Sequence, residues 1–215
     1  MNATWTEGLG VRTSGNLKLT LDMNCIVDLE ENKSHAPDLL KLVELNIERK
    51  IDLRITAASA SEQKHDDTYA SNFNEFEDRL ARMGLSNLEI LPTVMHIGVS
   101  YIGYCIVGGG KLSELEESIQ RILFPHVELE FSDYYKKRGL RVDDRVAWGK
   151  WANAKCDVLA LFSHIWYSGD IFVTRDGNFH RKTKKPALLK LGAGDILTPH
   201  NALTRIGERH AREGV

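Results

Sequence analysis

Four carboxylates in distinctive local contexts carry the chemistry legible in this chain: Asp22, Glu62, Asp157 and Asp176. Asp22 lies in the run Leu-Lys-Leu-Thr-Leu-Asp-Met-Asn at residues 17–24, and Asp157 in Cys-Asp-Val-Leu-Ala-Leu at 156–161. Asp176 lies in Ile-Phe-Val-Thr-Arg-Asp-Gly-Asn-Phe at 171–179. Chemistry in an open parallel sheet collects beyond the carboxyl ends of its strands. Carboxylates that converge there repel by roughly 4 kcal/mol per pair at a separation of about 4 Å and an effective dielectric of 20. A hard divalent cation such as Mg²⁺ or Mn²⁺ removes that cost, because it takes carboxylate oxygens, keeps several waters and bridges protein to substrate phosphates.

Each acid has a purely structural explanation to weigh against this one. Asp22 falls where a strand gives way to a helix, and Asp is a favoured amino-terminal cap. Ser59-Ala60-Ser61-Glu62 has the spacing of a capping box, in which the glutamate bonds its own helix start. Asp176-Gly177 suits a tight turn. Asp157 is the hardest to explain by structure alone, since it sits among Cys156, Val158, Leu159, Ala160, Leu161 and Phe162 in a predicted helix. Asp is a poor helix former, and a buried unpaired charge is expensive.

The elements that must position these acids alternate between strand and helix. Leu17, Leu19 and Leu21 alternate with Lys18 and Thr20 as a first strand, and a helix begins around Cys25–Leu29. After Pro37 an apolar helical stripe (Leu39, Leu40, Leu42, Val43, Ile47) leads to a second strand, Leu53 to Thr56. Residues 57–83 read as polar and helical, with Phe73, Phe76 and Leu80 on one face. A charged helix is expected from Leu112 to Leu123, a long helix from Arg145 to Trp166, a strand from Ile171 to Thr174 and a short strand from Asp195 to Leu197. This order predicts an α/β fold, a three-layer α/β/α sandwich with a mostly parallel central sheet. Residues 1–16 read as a loosely ordered lead-in and 17–215 as a single domain carrying a helical insertion at about 84–144.

Composition narrows the function classes. The chain has 215 residues, 42% hydrophobic and 27% charged, enough to bury a full core. No signal-peptide pattern and no run of about 18 apolar residues is present, so a soluble, cytoplasmic protein without a membrane partner is expected. Three widely spaced cysteines (Cys25, Cys105, Cys156) form no C-x-x-C pair, which argues against a disulfide framework and a cysteine zinc site. The net charge of −2 offers no global attraction for nucleic acid, so any phosphate contact must be local. The basic run Arg181-Lys182-Thr183-Lys184-Lys185 follows Asp176 closely and is either a backbone-phosphate contact or a solvated loop.

In order and context, these motifs resemble the PIN-domain nuclease family. The family opens with a strand ending in D-x-N, here Asp22-Met23-Asn24. Its second acid begins the helix after the second strand, here Glu62. Its third lies in a helix reading D-x-x-I/L-A, here Asp157-Val158-Leu159-Ala160. Its fourth lies in T-x-D-x-x-F, here Thr174-Arg175-Asp176-Gly177-Asn178-Phe179. The resemblance covers about residues 17–83 and 145–200. It implies a metal-dependent endoribonuclease that hydrolyses RNA phosphodiester bonds with Mg²⁺ or Mn²⁺, with Asp22, Glu62, Asp157 and Asp176 as catalytic and metal-holding acids. RNA is the implied substrate ahead of DNA. Asn24, Thr174, Asn178, Arg181 and Lys182 become candidate substrate contacts. A toxin-like member would have an antitoxin-type protein partner over the acidic cleft, and family members often pair as homodimers. Where many members carry a further acid this chain has Asn178, which leaves the number of ions, one or two, open.

Rival constellations fit less well. A haloacid-dehalogenase-like phosphatase would use Asp22 as nucleophile but needs an acid two residues on, where Asn24 stands. Gly108-Gly109-Gly110-Lys111-Leu112 lacks the first glycine and the final Ser or Thr of a phosphate loop, and no H-x-x-x-H pair supports a zinc protease. The alternative from another class is a PIN-like scaffold that binds RNA or protein without catalysis.

Overall fold

The first strand, β1 (Leu17–Leu21), is central, and everything else is arranged around it. A computed structural model describes residues 15–61 and 72–213. Glu62 and the lead-in up to residue 14 lie outside the described residues. β1 is followed by α1 (Met23–Glu30), α2 (Ala36–Ile47) and β2 (Ile51–Thr56), and a 3₁₀ turn spans Ala57–Ser61. Then come α3 (Phe73–Arg82), β3 (Glu89–Leu91), β4 (Thr93–Val94), β5 (Cys105–Ile106), α4 (Lys111–Leu123) and α5 (Phe131–Lys137). The chain closes with α6 (Arg145–Trp166), β6 (Ile171–Val173), α7 (Gly177–His180), α8 (Lys185–Lys190), β7 (Asp195–Leu197) and α9 (Pro199–Glu213).

Five strands form one sheet in the order β3-β2-β1-β6-β7, and every pairing is parallel. Parallel strands need helical crossovers, which cover the faces and bury the strands on both sides. Accordingly, adjacent residues of one strand enter different cores. Phe172 packs with α4, α6 and the 188–196 segment, whereas Ile171 and Val173 pack with β1, β2, α1, α2, α3 and α9. Leu19, Leu21, Ile26, Leu42 and Ile55 anchor the second of these cores and are essentially inaccessible to solvent. At about 1.5–3 kcal/mol for each fully buried Val, Leu, Ile or Phe, such burial is the main force holding the layers together.

The structure departs from the sequence-based expectation in four places. β3 lies within the stretch expected as an insertion, yet it pairs with β2 at Arg54↔Glu89 and supplies the edge of the main sheet. At three residues, with one face against solvent, it has too little alternation to declare itself. The remaining inserted stretch holds a second, two-stranded parallel ladder, β4 with β5, beside its helices. The carboxyl-terminal helix α9 was not expected, because its stripe rests on few apolar residues, of which Ala202 and Ile206 reach the core. In α2, Leu40 and Ile47 face solvent while Leu39, Leu42 and Val43 are buried, so the helical stripe is narrower than its sequence.

α6 ties the inserted stretch to the rest. Lys155 on α6 is 1% exposed and places its ammonium 2.8 Å from Glu116 of α4, whose carboxylate also meets His96 Nε2 at 2.6 Å. Burial pushes Glu116 up, but the His96 hydrogen bond and the Lys155 charge outweigh it and hold the carboxyl below its usual range. Trp148, Trp151 and Phe131 pack edge-on and tilted at ring separations of 4.9–5.6 Å, fixing α5 on α6. No described helix is long and apolar enough to cross a membrane. All three cysteines are free, and burial together with the neighbouring Asp22 and Asp28 charges pushes the Cys25 thiol far up, leaving it unreactive.

Candidate functional site

The strand order reverses beside β1: β2 and β3 lie on one side, β6 and β7 on the other. The carboxyl ends of β1 and β6 therefore flank a topological switch point, the place where open α/β sheets leave a crevice for ligands. The register pairs Leu21 with Val173, and Asp22 N–H continues the ladder by donating to the Val173 carbonyl at 2.9 Å. Asp22 and Thr174 thus emerge next to each other, although 152 positions separate them in the chain.

Asp22 is 2% exposed and caps α1 by accepting from Met23 N–H at 2.9 Å. Its second oxygen accepts from the Thr174 hydroxyl at 2.5 Å and from the Asn24 amide. Thr174 Oγ1 in turn accepts from Asn24 Nδ2 and from Asp176 N–H, both at 3.0 Å. One fully buried hydroxyl therefore links the two strand-end acids. Having no exposed surface, Thr174 acts by orienting Asp22 and the Asp176 backbone. Asn24 completes the link with Oδ1, which accepts from Arg175 N–H at 3.2 Å. Asp176 caps the short helix α7 by accepting from Asn178 N–H at 2.9 Å. The capping explanation for Asp22 is thus correct, while Asp176, expected in a tight turn, caps a helix instead; neither role competes with a site, because a cap leaves carboxylate lone pairs free.

Asp157 reaches the same place from α6, near enough for the Asp22 and Asp176 charges to act on it. Burial pushes its carboxyl well above the usual range, and the charges of Asp22 and then Asp176 push it further. Asp22 is raised to about 6, first by burial; the hydrogen bonds from Thr174, Met23 and Asn24 oppose the rise and the Asp176 charge adds to it. Three acids from three separate elements therefore feel one another's charge. Glu62 follows directly on the 3₁₀ turn but lies outside the described residues.

Two further residues brace the acids, and of these only Asp28 was not singled out by sequence. Asp28, 1% exposed on α1, is held by Arg175 Nε at 2.6 Å, which braces the loop between Thr174 and Asp176. The signal was present, since Asp28 sits between Val27 and Leu29 in an apolar helix, the same anomaly that marked Asp157. His180 Nε2 donates to the Thr174 carbonyl at 2.8 Å and pins the strand end from below. Among the candidate substrate contacts, Arg181 and Lys182 are exposed and Asn178 is half-buried. The basic run divides: Lys184 donates to the Leu123 carbonyl and to Asn178, and Lys185 donates to the Ile196 carbonyl at 2.6 Å. Those two clip loops together, while Arg181 and Lys182 face outward.

Among the described residues, no group of three or more His, Cys, Asp or Glu side chains is arranged to hold one metal ion by itself. The donor chemistry nevertheless fits a hard cation held through one or two carboxylates and water, the usual manner for Mg²⁺. The acids offer only oxygen, and positive charge would relieve the repulsion that Asp22 and Asp176 exert on Asp157. The chain matches no family model, no curated protein and no solved structure.

Proposed function

We propose that this chain is a PIN-type, Mg²⁺- or Mn²⁺-dependent endoribonuclease that hydrolyses RNA phosphodiester bonds at the crevice beside β1 and β6. The observation that carries the reading is the convergence of Asp22 and Asp176 on one buried threonine hydroxyl at the switch point of a parallel sheet, with Asp157 of α6 near enough for both charges to raise it. The motifs around Asp22, Asp157 and Asp176, each matched to the family in order, support the same reading. A divalent cation, if held there, would supply an acidified water and offset charge developing on the phosphoryl group.

The chain's own groups have distinct duties. Asp22 and Asp176 are the residues that would hold the cation, and Thr174 and Asn24 fix their orientation through hydrogen bonds of 2.5–3.0 Å. Asp157, the acid most strongly driven toward its neutral form, orients the attacking water and exchanges a proton with it. Glu62, following the 3₁₀ turn, adds a fourth oxygen donor. Arg181 and Lys182 hold the RNA backbone by phosphate contacts, which makes binding fall with salt.

Cleavage of labelled single-stranded RNA by the purified protein tests this, with Mg²⁺ or Mn²⁺ against a chelator and an Asp176→Asn variant. The expected result is cutting that requires both metal and Asp176. The second reading is a scaffold that binds RNA or protein without cutting. It gains the field if no cutting occurs and metal leaves the melting temperature unchanged.

A further inference from the structure

A cavity of about 800 Å³ opens directly beside Asp176, between the carboxyl end of α4 and the segment 176–184. Its walls include Phe124, Pro125, His126, Asp176, Arg181 and Lys184. Ligand-sized molecules occupy pockets of roughly 300–1,000 Å³. Three properties of the wall point to one kind of occupant. Phe124 and Pro125 offer flat apolar surface, with Phe124 half-buried and packed on the core so that its ring is held in place. Arg181 is exposed, and among the described residues its guanidinium has no ion-pair partner. Lys184 lies 5.9 Å from the Phe124 ring centre and is anchored by the Leu123 carbonyl and Asn178. Burial, and after it the Arg181 charge, pulls Lys184 below the usual lysine range against the opposing charge of Asp176, and an anion between the two cations would relieve their repulsion. Aromatic surface beside an available cation is how single-stranded nucleic acids are held, base on ring and phosphate on guanidinium.

We propose that this cavity is a subsite for one nucleotide of a single-stranded RNA, its base against Phe124 and its phosphate on Arg181, flanking the bond presented to the acid cluster. The subsite rests on the nuclease reading and adds to it that α4 of the inserted stretch supplies substrate contact. Lys184 and Asn178 position the two walls relative to each other. A single strand is required because a paired base cannot turn its face onto the ring.

Two measurements separate the subsite from the reading it rests on. Anisotropy of a labelled single-stranded RNA hexamer in chelator reads binding without cutting. Phe124→Ala and Arg181→Ala are each expected to weaken binding roughly tenfold, and Phe124→Tyr to retain it. In the metal-supported cleavage assay the same alanine variants should raise KM while leaving kcat within about twofold. Arg181 is exposed, so its variant reads the subsite without disturbing the fold. Wild-type protein that fails to bind the hexamer, or alanine variants that bind and cut like wild type, overturns the subsite; in the latter case the nuclease reading stands. Variant-sensitive binding with no cleavage by wild type keeps the subsite and removes the hydrolytic reading.

Discussion

Asp157 states the residue-scale argument most sharply, because nothing in the described contacts neutralises it while burial and two like charges press on it. A carboxyl whose folded-state pKa is raised favours folding only below its unfolded value and loses that contribution as pH rises through the folded value. For Asp22, raised from 3.8 to about 6, the loss between those pH values amounts to about 3 kcal/mol in metal-free protein. Asp157→Asn should therefore stabilise the protein in chelator at pH 7.5, raising Tm by at least about 2 °C, while abolishing cleavage. Mg²⁺ should raise the Tm of wild type more than that of the variant. Calorimetry on the pair checks this, and a variant that melts lower than wild type would show that the carboxyl is structurally required. Sites that combine local instability with function are where such strain is expected.

At the scale of elements, the orientation of the long helix against the sheet depends on one neutral histidine. His164 of α6 accepts from the Thr20 hydroxyl of β1 at Nδ1, 2.8 Å away, and donates from Nε2 to the Ala193 carbonyl, 3.0 Å away, ahead of β7. Burial lowers its pKa to about 4, against the small opposing effect of the Ala193 bond. A lowered histidine contributes stability that is present above its unfolded value, near 6.5, and lost as pH falls toward 4, about 3 kcal/mol in all. This limb runs opposite to that of Asp22. Urea titrations at pH 7 and pH 4.5 should show a loss that His164→Gln largely removes; an unchanged pH dependence in the variant would assign the acid sensitivity elsewhere. The same helix carries Asp157 two turns earlier, so the acid's position in the crevice is only as firm as this anchor.

For the whole molecule, the inserted stretch is expected to unfold together with the sheet, because its charged contacts close inside the core. Lys155, Glu116 and His96 join α6, α4 and the segment after β4 away from solvent. Removing one partner of a buried pair strands the other. Lys155→Met is expected to cost about 3 kcal/mol or more, a Tm drop of roughly 6 °C or more, in one transition rather than two. A separate early transition in the melt would mean that residues 84–144 unfold independently of the sheet.

The sequence by itself determined the alternation of strands and helices, and hence a parallel sheet covered on both faces. It also set the bounds of α6 and β7, because long periodic or strongly apolar segments have one way to bury themselves. It marked Asp157 through its charge among apolar neighbours, and Asp22 and Asp176 through their places at strand ends. Only the tertiary structure decided that β3 joins the main sheet, that α9 packs on it, and that the basic run splits into clips and outward-facing cations. Those outcomes depend on partners distant in the chain: a three-residue edge strand or a lysine bonded to a carbonyl 61 positions away leaves no local pattern. The convergence of the acids likewise depends on the order β3-β2-β1-β6-β7, which brings the ends of β1 and β6 side by side through hydrogen bonds that no local spacing encodes.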